Sequence, residues 1–335
     1  MTLEHINMRF QKGGFFSKDR SVHVLKDIDL TIGEGEILAL VGESGCGKTT
    51  LGKIITGLYV PTEGQIALQG ESGETIKRKK RPLSFLQVQF IQQDSYAALN
   101  PVRTIYQSLY APIRMHNPKW SKKQIDTKID ELMTLIGLQP AAQFLSKYPH
   151  QLSGGQRQRI LMARAISLDP KLIVADEPVS MIDVSLRLSL LNLMSELNER
   201  LGIAFVYITH DLSTARYIAR RGRLAVMYLG EIMEEGAMDV VLSHPRHPYT
   251  RALLKAVPVP DPDARSDEKL PLKSMELSGI EDRGEGCPFA PRCPYMTEQC
   301  ERPVDYVVTE GVRIKCRNLE EVERLNAARP EGTDE

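Results

Sequence analysis

Three runs of apolar residues, each ending on polar ones, set the frame of the chain. Ile37-Leu38-Ala39-Leu40-Val41 enters a glycine-rich stretch, and Leu172-Ile173-Val174-Ala175 ends in Asp176-Glu177. Ile203 to Ile208 ends in Thr209-His210-Asp211. Short apolar runs bounded by such signals predict buried strands. Between the second and third runs, residues 184–201 carry apolar positions at helical spacing and predict a crossover helix, and a further helix is expected from Lys48 to about Leu58. Strands alternating with helices imply a parallel sheet whose functional residues sit at the strand C-termini.

The alternation breaks between Asn100 and Asp169. Strand patterns are missing there, and residues 121–136 and 154–167 have helical spacing. This predicts a helical subdomain, over about 98–169, inserted into an α/β core, with Ser121 as an N-cap and Gly137 as a stop. A third region starts near His244. Its passage Val257-Pro258-Val259-Pro260-Asp261-Pro262 reads as an extended linker, and the last dozen residues read as frayed. The expected division is 1–243 for the core and 244–335 for an extension.

Composition narrows this little. The 335 residues suit one large domain and an appendage, and 43 Lys and Arg balance 43 Asp and Glu. That neutrality offers no global electrostatic case for nucleic acid or an anionic surface. The basic run Lys77-Arg78-Lys79-Lys80-Arg81 lacks interleaved aromatics and reads as a solvated loop. No apolar stretch approaches the roughly 20 residues of a membrane span, and the N-terminus lacks a basic region and a long apolar run, so a cytosolic chain is expected. Four of the five cysteines, Cys287, Cys293, Cys300 and Cys316, cluster near the C-terminus, which in a cytosolic chain points to metal chemistry rather than disulfides.

The chemistry starts at Gly42-Glu43-Ser44-Gly45-Cys46-Gly47-Lys48-Thr49, which fits G-x-x-x-x-G-K-[ST] between a strand and a helix. Backbone N–H groups of such a loop wrap a nucleotide's phosphates. Gly42, Gly45 and Gly47 allow close approach, and Ser44 and Cys46 are small residues in the same loop. Lys48 is expected on the β- and γ-phosphates, Thr49 on Mg²⁺, and Thr50 on a further phosphate contact.

Leu152-Ser153-Gly154-Gly155-Gln156 then resembles the signature of the ABC ATPase family. With the phosphate loop, it makes the chain similar to the ATPase subunit of an ABC transporter. The resemblance implies an α/β fold: a P-loop NTPase core of the ABC type with an inserted helical subdomain and a small Cys-rich C-terminal extension. It implies that Asp176 holds Mg²⁺, that Glu177 is the catalytic base, and that His210 contacts the γ-phosphate. Gln93 resembles the glutamine that senses Mg²⁺ and the attacking water, with Gln92 as its neighbouring alternative. Ser180-Met181-Ile182-Asp183 occupies the D-loop position, with Met181-Ile182 where Ala-Leu is commoner and Asp183 in place. Ser153, Gly154, Gly155 and Gln156 would meet ATP held by a partner subunit. Phe10 best fits the adenine platform, with Phe15 and Phe16 as rivals.

Three segments resemble the oligopeptide/dipeptide (and nickel) importer group: Asp94 to Pro101, Tyr148-Pro149-His150-Gln151, and His247 to Leu254 with Gly286-Cys287-Pro288-Phe289 and Arg292-Cys293-Pro294. The implied function is ATP binding and hydrolysis that energises peptide uptake, with nickel or oligosaccharide as alternative cargo. The implied partners are a second ATPase subunit, identical or different, two membrane permeases and an external solute-binding protein, which would place the chain on the cytoplasmic face of the membrane. The spacing Cys287-x5-Cys293-x6-Cys300-x15-Cys316 departs from the C-x₂-C pairs of common zinc modules. Four thiolates suffice for a [4Fe–4S] cluster, with zinc or free thiols as alternatives. A soluble ABC ATPase acting on nucleic acid or ribosomes is the other class, but such proteins usually fuse two nucleotide units or insert long coiled coils, and this sequence shows neither.

Overall fold

The structure, a computed structural model, describes residues 1–11, 21–69, 75–77, 87–257, 272–275, 284–320, 322 and 324. Phe15, Phe16, the basic run from Arg78 to Arg81, the linker from Pro258 to Pro262 and the last residues from 325 lie outside them. Strands β1 (Thr2–Gln11), β2 (Ser21–Thr31) and β3 (Ile37–Val41) lead to helix α1 (Lys48–Ile55). Next come β4 (Glu63–Gln69), β5 (Thr75–Lys77) and β6 (Val88–Ile91). A helical stretch follows: α2 (Ser95–Ala98), α3 (Ile105–His116), α4 (Lys122–Leu135), α5 (Ala142–Leu145) and α6 (Gly154–Ile166). The α/β alternation resumes with β7 (Leu172–Asp176), α7 (Val184–Leu201), β8 (Ala204–Thr209), α8 (Leu212–Ile218), β9 (Arg223–Tyr228) and β10 (Glu231–Ala237). Helices α9 (Met238–Ser243) and α10 (Pro248–Lys255) precede a last hairpin, β11 (Val307–Thr309) and β12 (Val312–Ile314).

The main sheet runs β11-β12-β10-β9-β3-β8-β7-β6, and a smaller antiparallel sheet runs β2-β1-β4-β5. Strands β6, β7, β8, β3 and β9 are parallel, as the apolar runs predict. Both alternating faces of these strands are buried. Ile37, Ala39 and Val41 face the helical layer, whereas Leu38 and Leu40 pack with α1 and the small sheet. A strand with two buried faces has no polar side to show, so its sequence reads as one continuous run.

Helices α3, α4 and α6 each begin with a capping box: Thr104 with Gln107, Ser121 with Gln124, and Ser153 with Gln156. The serine or threonine accepts from the third helical N–H while the glutamine reaches back to the cap's own N–H. Helix α1 ends at Ile55, short of Leu58, because Gly57 at φ 73° turns the chain.

The C-terminal segment continues the main sheet. Strand β12 pairs antiparallel with β10, and buried glutamates of β10 anchor its surroundings. Glu231 pairs with Lys315 at 2.7 Å, Glu235 with Arg313 at 2.5 Å and with Arg223, and Glu234 accepts the backbone N–H of Arg246 and of His247, both at 2.9 Å. Among the described residues, no helix is long and apolar enough to cross a membrane.

Candidate active site at the end of the central strand

Strand β3 delivers the phosphate loop to the C-terminal edge of the sheet, between β8 and β9. The loop is packed from behind. A Cβ on Gly42 would lie 2.1 Å from the Met227 carbonyl oxygen, and one on Gly47, at φ 108°, would lie 2.9 Å from Leu25 Cδ2. Only glycine lets the backbone run this close to its neighbours. Lys48 is buried, and its Nζ donates to the carbonyls of Gly42 at 2.7 Å and Glu43 at 2.9 Å. Its ammonium thereby bridges the first turn of the loop. Cys46 is buried with its Sγ 3.8 Å from Lys48 Nζ, and burial pushes its thiol pKa up, so it fills space in the loop as a neutral group.

A cavity of about 480 Å³ opens over this loop. It is lined by Val24, Ser44, Gly45, Gly47, Lys48, Thr49, Thr50, Gln93, Asp176, Glu177 and His210. The ends of β3, β7 and β8 thus converge with the segment after β6, as the topology of a parallel sheet demands. Asp176 is 5% exposed. Burial raises its carboxyl pKa and the charge of Glu177 adds to this, while the Thr49 hydroxyl bonded to it and the Lys48 ammonium pull the other way. Thr49 and Asp176 together can hold a divalent cation, whose charge would favour the ionised carboxylate.

Glu177 has φ 45° and donates its N–H to the Ile208 carbonyl at 2.9 Å, fixing the carboxylate at the cavity. One oxygen pairs with His210 Nδ1 at 2.7 Å and the other accepts from Gln93 Nε2 at 3.1 Å. An ionised carboxylate only accepts, so in that state the His210 bond runs from an Nδ1–H to Glu177. Gln93 therefore lies at the cavity, bonded to Glu177.

The structure leaves other residues apart. Ser153, Gly154, Gly155 and Gln156 start α6 outside this cavity, with Ser153 Oγ accepting the Gln156 N–H at 3.3 Å. Asp183 is exposed at the start of α7 and makes no side-chain cap. The Met181 carbonyl lies beside Gly154, so the two segments adjoin each other rather than the chain's own phosphate loop. Phe10 is 36% exposed and meets Tyr59 edge-on at 5.7 Å; Val24 on β2, rather than Phe10, lines the cavity.

Sequence patterns do not reveal three connections. Arg157 is buried, donates to the carbonyls of Pro149 and Leu152, and lies over the Tyr96 ring at 3.5 Å. Gln158 reaches the Gln93 carbonyl at 3.4 Å, and Arg164 reaches the Ala98 carbonyl at 2.7 Å. These side chains tie α6 to the segment after β6. Arg157, Gln158 and Arg164 read in the sequence as ordinary polar positions of a helix, and no local pattern marks their partners.

The chain is similar to known proteins along most of its length. Residues 25–180 match the ABC transporter family, and residues 233–300 match the oligopeptide/dipeptide transporter C-terminal region. The chain is 39% identical over 330 residues to the putative oligopeptide transport ATP-binding protein YkfD of Bacillus subtilis, covering 97% of this chain and 98% of that protein. It is 42% identical over 282 residues to the dipeptide transport ATP-binding protein DppF of Escherichia coli, covering 84% and 82%. Among solved structures, it is similar to a dimeric ATP-binding cassette, MJ0796, in a post-hydrolysis state bound to ADP and Pi. The TM-score is 0.60 at 28% identity, over 71% of this chain and 98% of that one.

Proposed function

This chain belongs to the ABC transporter family, in the group carrying the oligopeptide/dipeptide transporter C-terminal region, and from that premise we propose that it is the ATPase subunit of a peptide importer. One observation supports the mechanism: the phosphate-loop residues, Thr49, Asp176 and Glu177 line one cavity, while Ser153 lies outside it. Two chains, identical or different, would close head to tail, each presenting Ser153, Gly154, Gly155 and Gln156 to ATP on the other. The Ser153 hydroxyl accepts its cap bond and still has a proton to donate. The dimeric cassette among the similar structures supports this arrangement.

Within one site, the loop amides and Lys48 bind the phosphates, with Ser44, Gly45, Gly47 and Thr50 at the cavity wall. Mg²⁺, held by Thr49 and Asp176 with Gln93 beside them, would neutralise charge on the phosphates. Glu177 accepts the proton of the attacking water, and His210 and Gln93 hold its two oxygens in place. Phe10 is the proposed adenine contact. Replacing Glu177 by Gln should lower ATP turnover by about 10²–10⁴-fold and leave ATP binding intact. Robust hydrolysis by Glu177→Gln would sink this reading.

The relatives named for oligopeptide and dipeptide transport support peptide as cargo; nickel or oligosaccharide would use the same machinery. Two permeases and an external solute-binding protein complete the proposed assembly, with this chain on the cytoplasmic face of the membrane. Nucleic acid has no place in it.

For the cysteine tail the proposed reading is a bound metal, with free thiols as the alternative. Cys293, Cys300 and Cys316 are buried and Cys287 half-buried. Burial, together with the neighbouring thiols, pushes Cys287 and Cys293 up to about 12, while the N–H groups of Phe289 and Tyr295 bond their sulfurs. A metal bound by these sulfurs would draw off their protons. Among the described residues, no three of these sulfurs lie within 4.8 Å of one another, whereas one tetrahedral zinc would need about 3.8 Å. The number of thiols alone carries the proposal of a structural [4Fe–4S] cluster, with zinc or free thiols as the alternatives. Iron and zinc analysis of anaerobically purified protein decides between them.

A further inference from the structure

Glu43 occupies a position of the phosphate loop that the motif leaves open, yet three of its groups are engaged. Its carbonyl accepts from Lys48 at 2.9 Å, and its N–H donates to the Tyr249 hydroxyl at 3.0 Å. Its two carboxylate oxygens accept from Arg292 Nη1 at 2.9 and 3.0 Å. Tyr249 lies in α10, and Arg292 ends the short turn Ala290–Arg292 among the tail cysteines. Two of the three ties therefore come from the C-terminal extension.

Arg292 is not a surface cation that happens to point inward. It is 6% exposed, its Nη1 also donates to the Tyr228 hydroxyl at 3.3 Å, and its backbone carbonyl accepts from Lys273 at 2.9 Å. Around it, Tyr228, Tyr249 and Phe289 pack ring on ring, with centroids 4.5 to 5.4 Å apart. The guanidinium is held in place before any nucleotide arrives.

A carboxylate within a phosphate loop opposes the binding of a polyanion unless a cation cancels it. Resting on the nucleotide-site reading above, we propose that Arg292 tunes that site by charge: it neutralises the Glu43 carboxylate, while the Tyr249 hydroxyl, bonded to the Glu43 N–H, holds the loop backbone independently of that charge. The C-terminal extension is then a structural part of the nucleotide site.

The test is titration calorimetry of the full-length chain with Mg·ADP, alongside thermal melts. Arg292→Met should weaken binding about tenfold, the size expected for one charged hydrogen-bonded contact. Arg292→Lys should recover part of the loss. Adding Glu43→Gln to Arg292→Met should restore most of it, because the unpaired carboxylate is then gone; a role in tail packing alone predicts no such rescue. Wild-type affinity in folded Arg292→Met overturns the proposal, as does a loss that Glu43→Gln leaves in place. Should Arg292→Met fail to fold, Glu43→Gln alone still decides the matter. Binding equal to or tighter than wild type supports the charge argument, and severalfold weaker binding refutes it.

Discussion

The phosphate loop and the signature are both glycine-containing turns that open a helix, and they treat the helix start in opposite ways. At α1 the N-cap is Gly47, which offers no side chain to the first-turn N–H groups. Those donors stay available, and the positive end of the helix faces the cavity. At α6 the N-cap is Ser153, whose oxygen occupies the Gln156 N–H while Gln156 reaches back to Ser153. The first start is incomplete until an anion fills it; the second is complete in itself and keeps only a hydroxyl proton to offer. Being held differs as well: the loop is wedged among β9, β2 and the tail, whereas Ser153 is exposed.

The strongest way to break this contrast is to add one methyl group to each. Gly42→Ala drives a Cβ to 2.1 Å from the Met227 carbonyl, a backbone atom that cannot swing away. A loss of about 3 kcal/mol or more is expected by chemical denaturation. Gly155→Ala meets side chains alone, Leu186 Cδ1 at 3.2 Å and Ile182 Cγ2 at 3.9 Å, and alanine favours the helix, so its stability should stay within about 0.5 kcal/mol of wild type. Equal losses at both sites would erase the distinction.

Acid sharpens it next. His247 caps α10, the helix that carries Tyr249 to Glu43, through its Nδ1 accepting the Tyr249 N–H at 3.0 Å. Burial lowers the His247 pKa from 6.5 to about 3. Above about pH 6.5 the ring is neutral in both folded and unfolded chains, so this group costs nothing. Below it only the unfolded chain takes the proton, and stability should fall by up to about 1.4 kcal/mol per pH unit toward pH 3. His247→Gln should flatten part of that slope in pH-dependent melts, and an unchanged slope would contradict the burial argument.

The smallest effect belongs to the signature cap. Ser153→Ala should cost about 1 kcal/mol of stability and leave Mg·ADP binding by the separate chain unaltered. Hydrolysis by the assembled pair should nevertheless collapse. Weakened binding in the separate chain would mean that the two helix starts already communicate within one subunit.

Legibility follows burial and sequence distance. Strands β3, β7 and β8 are readable because both faces are apolar, and the loop and signature because glycines and a lysine recur at fixed spacing. Ser121 and Gly137 mark the ends of α4 by ordinary cap chemistry. The tail strands are not readable. Val307–Thr309 and Val312–Ile314 are too short for a period, and Glu231, Glu234 and Glu235 look like a solvent-facing strand while being buried. Their partners, Lys315, Arg313 and the amides of Arg246 and His247, come from elsewhere in the chain. Glu43 and Arg292 are 249 positions apart, and local pattern carries no trace of such a contact. For the adenine contact, an aromatic near β1 is the available signal, whereas the cavity wall is Val24.

The place of β3 in the sheet has a consequence for the order in which the protein is made. Its neighbours on the two sides are β8 and β9, which end at Thr209 and Tyr228. A growing polypeptide exposes the phosphate-binding sequence early, yet that strand cannot pair on either side until most of the chain has left the ribosome. Arg292 arrives later still. Co-translational folding of the nucleotide site is therefore delayed by its topology, and a chain stalled before β9 would present an unpaired, wholly apolar strand to whatever chaperone is near.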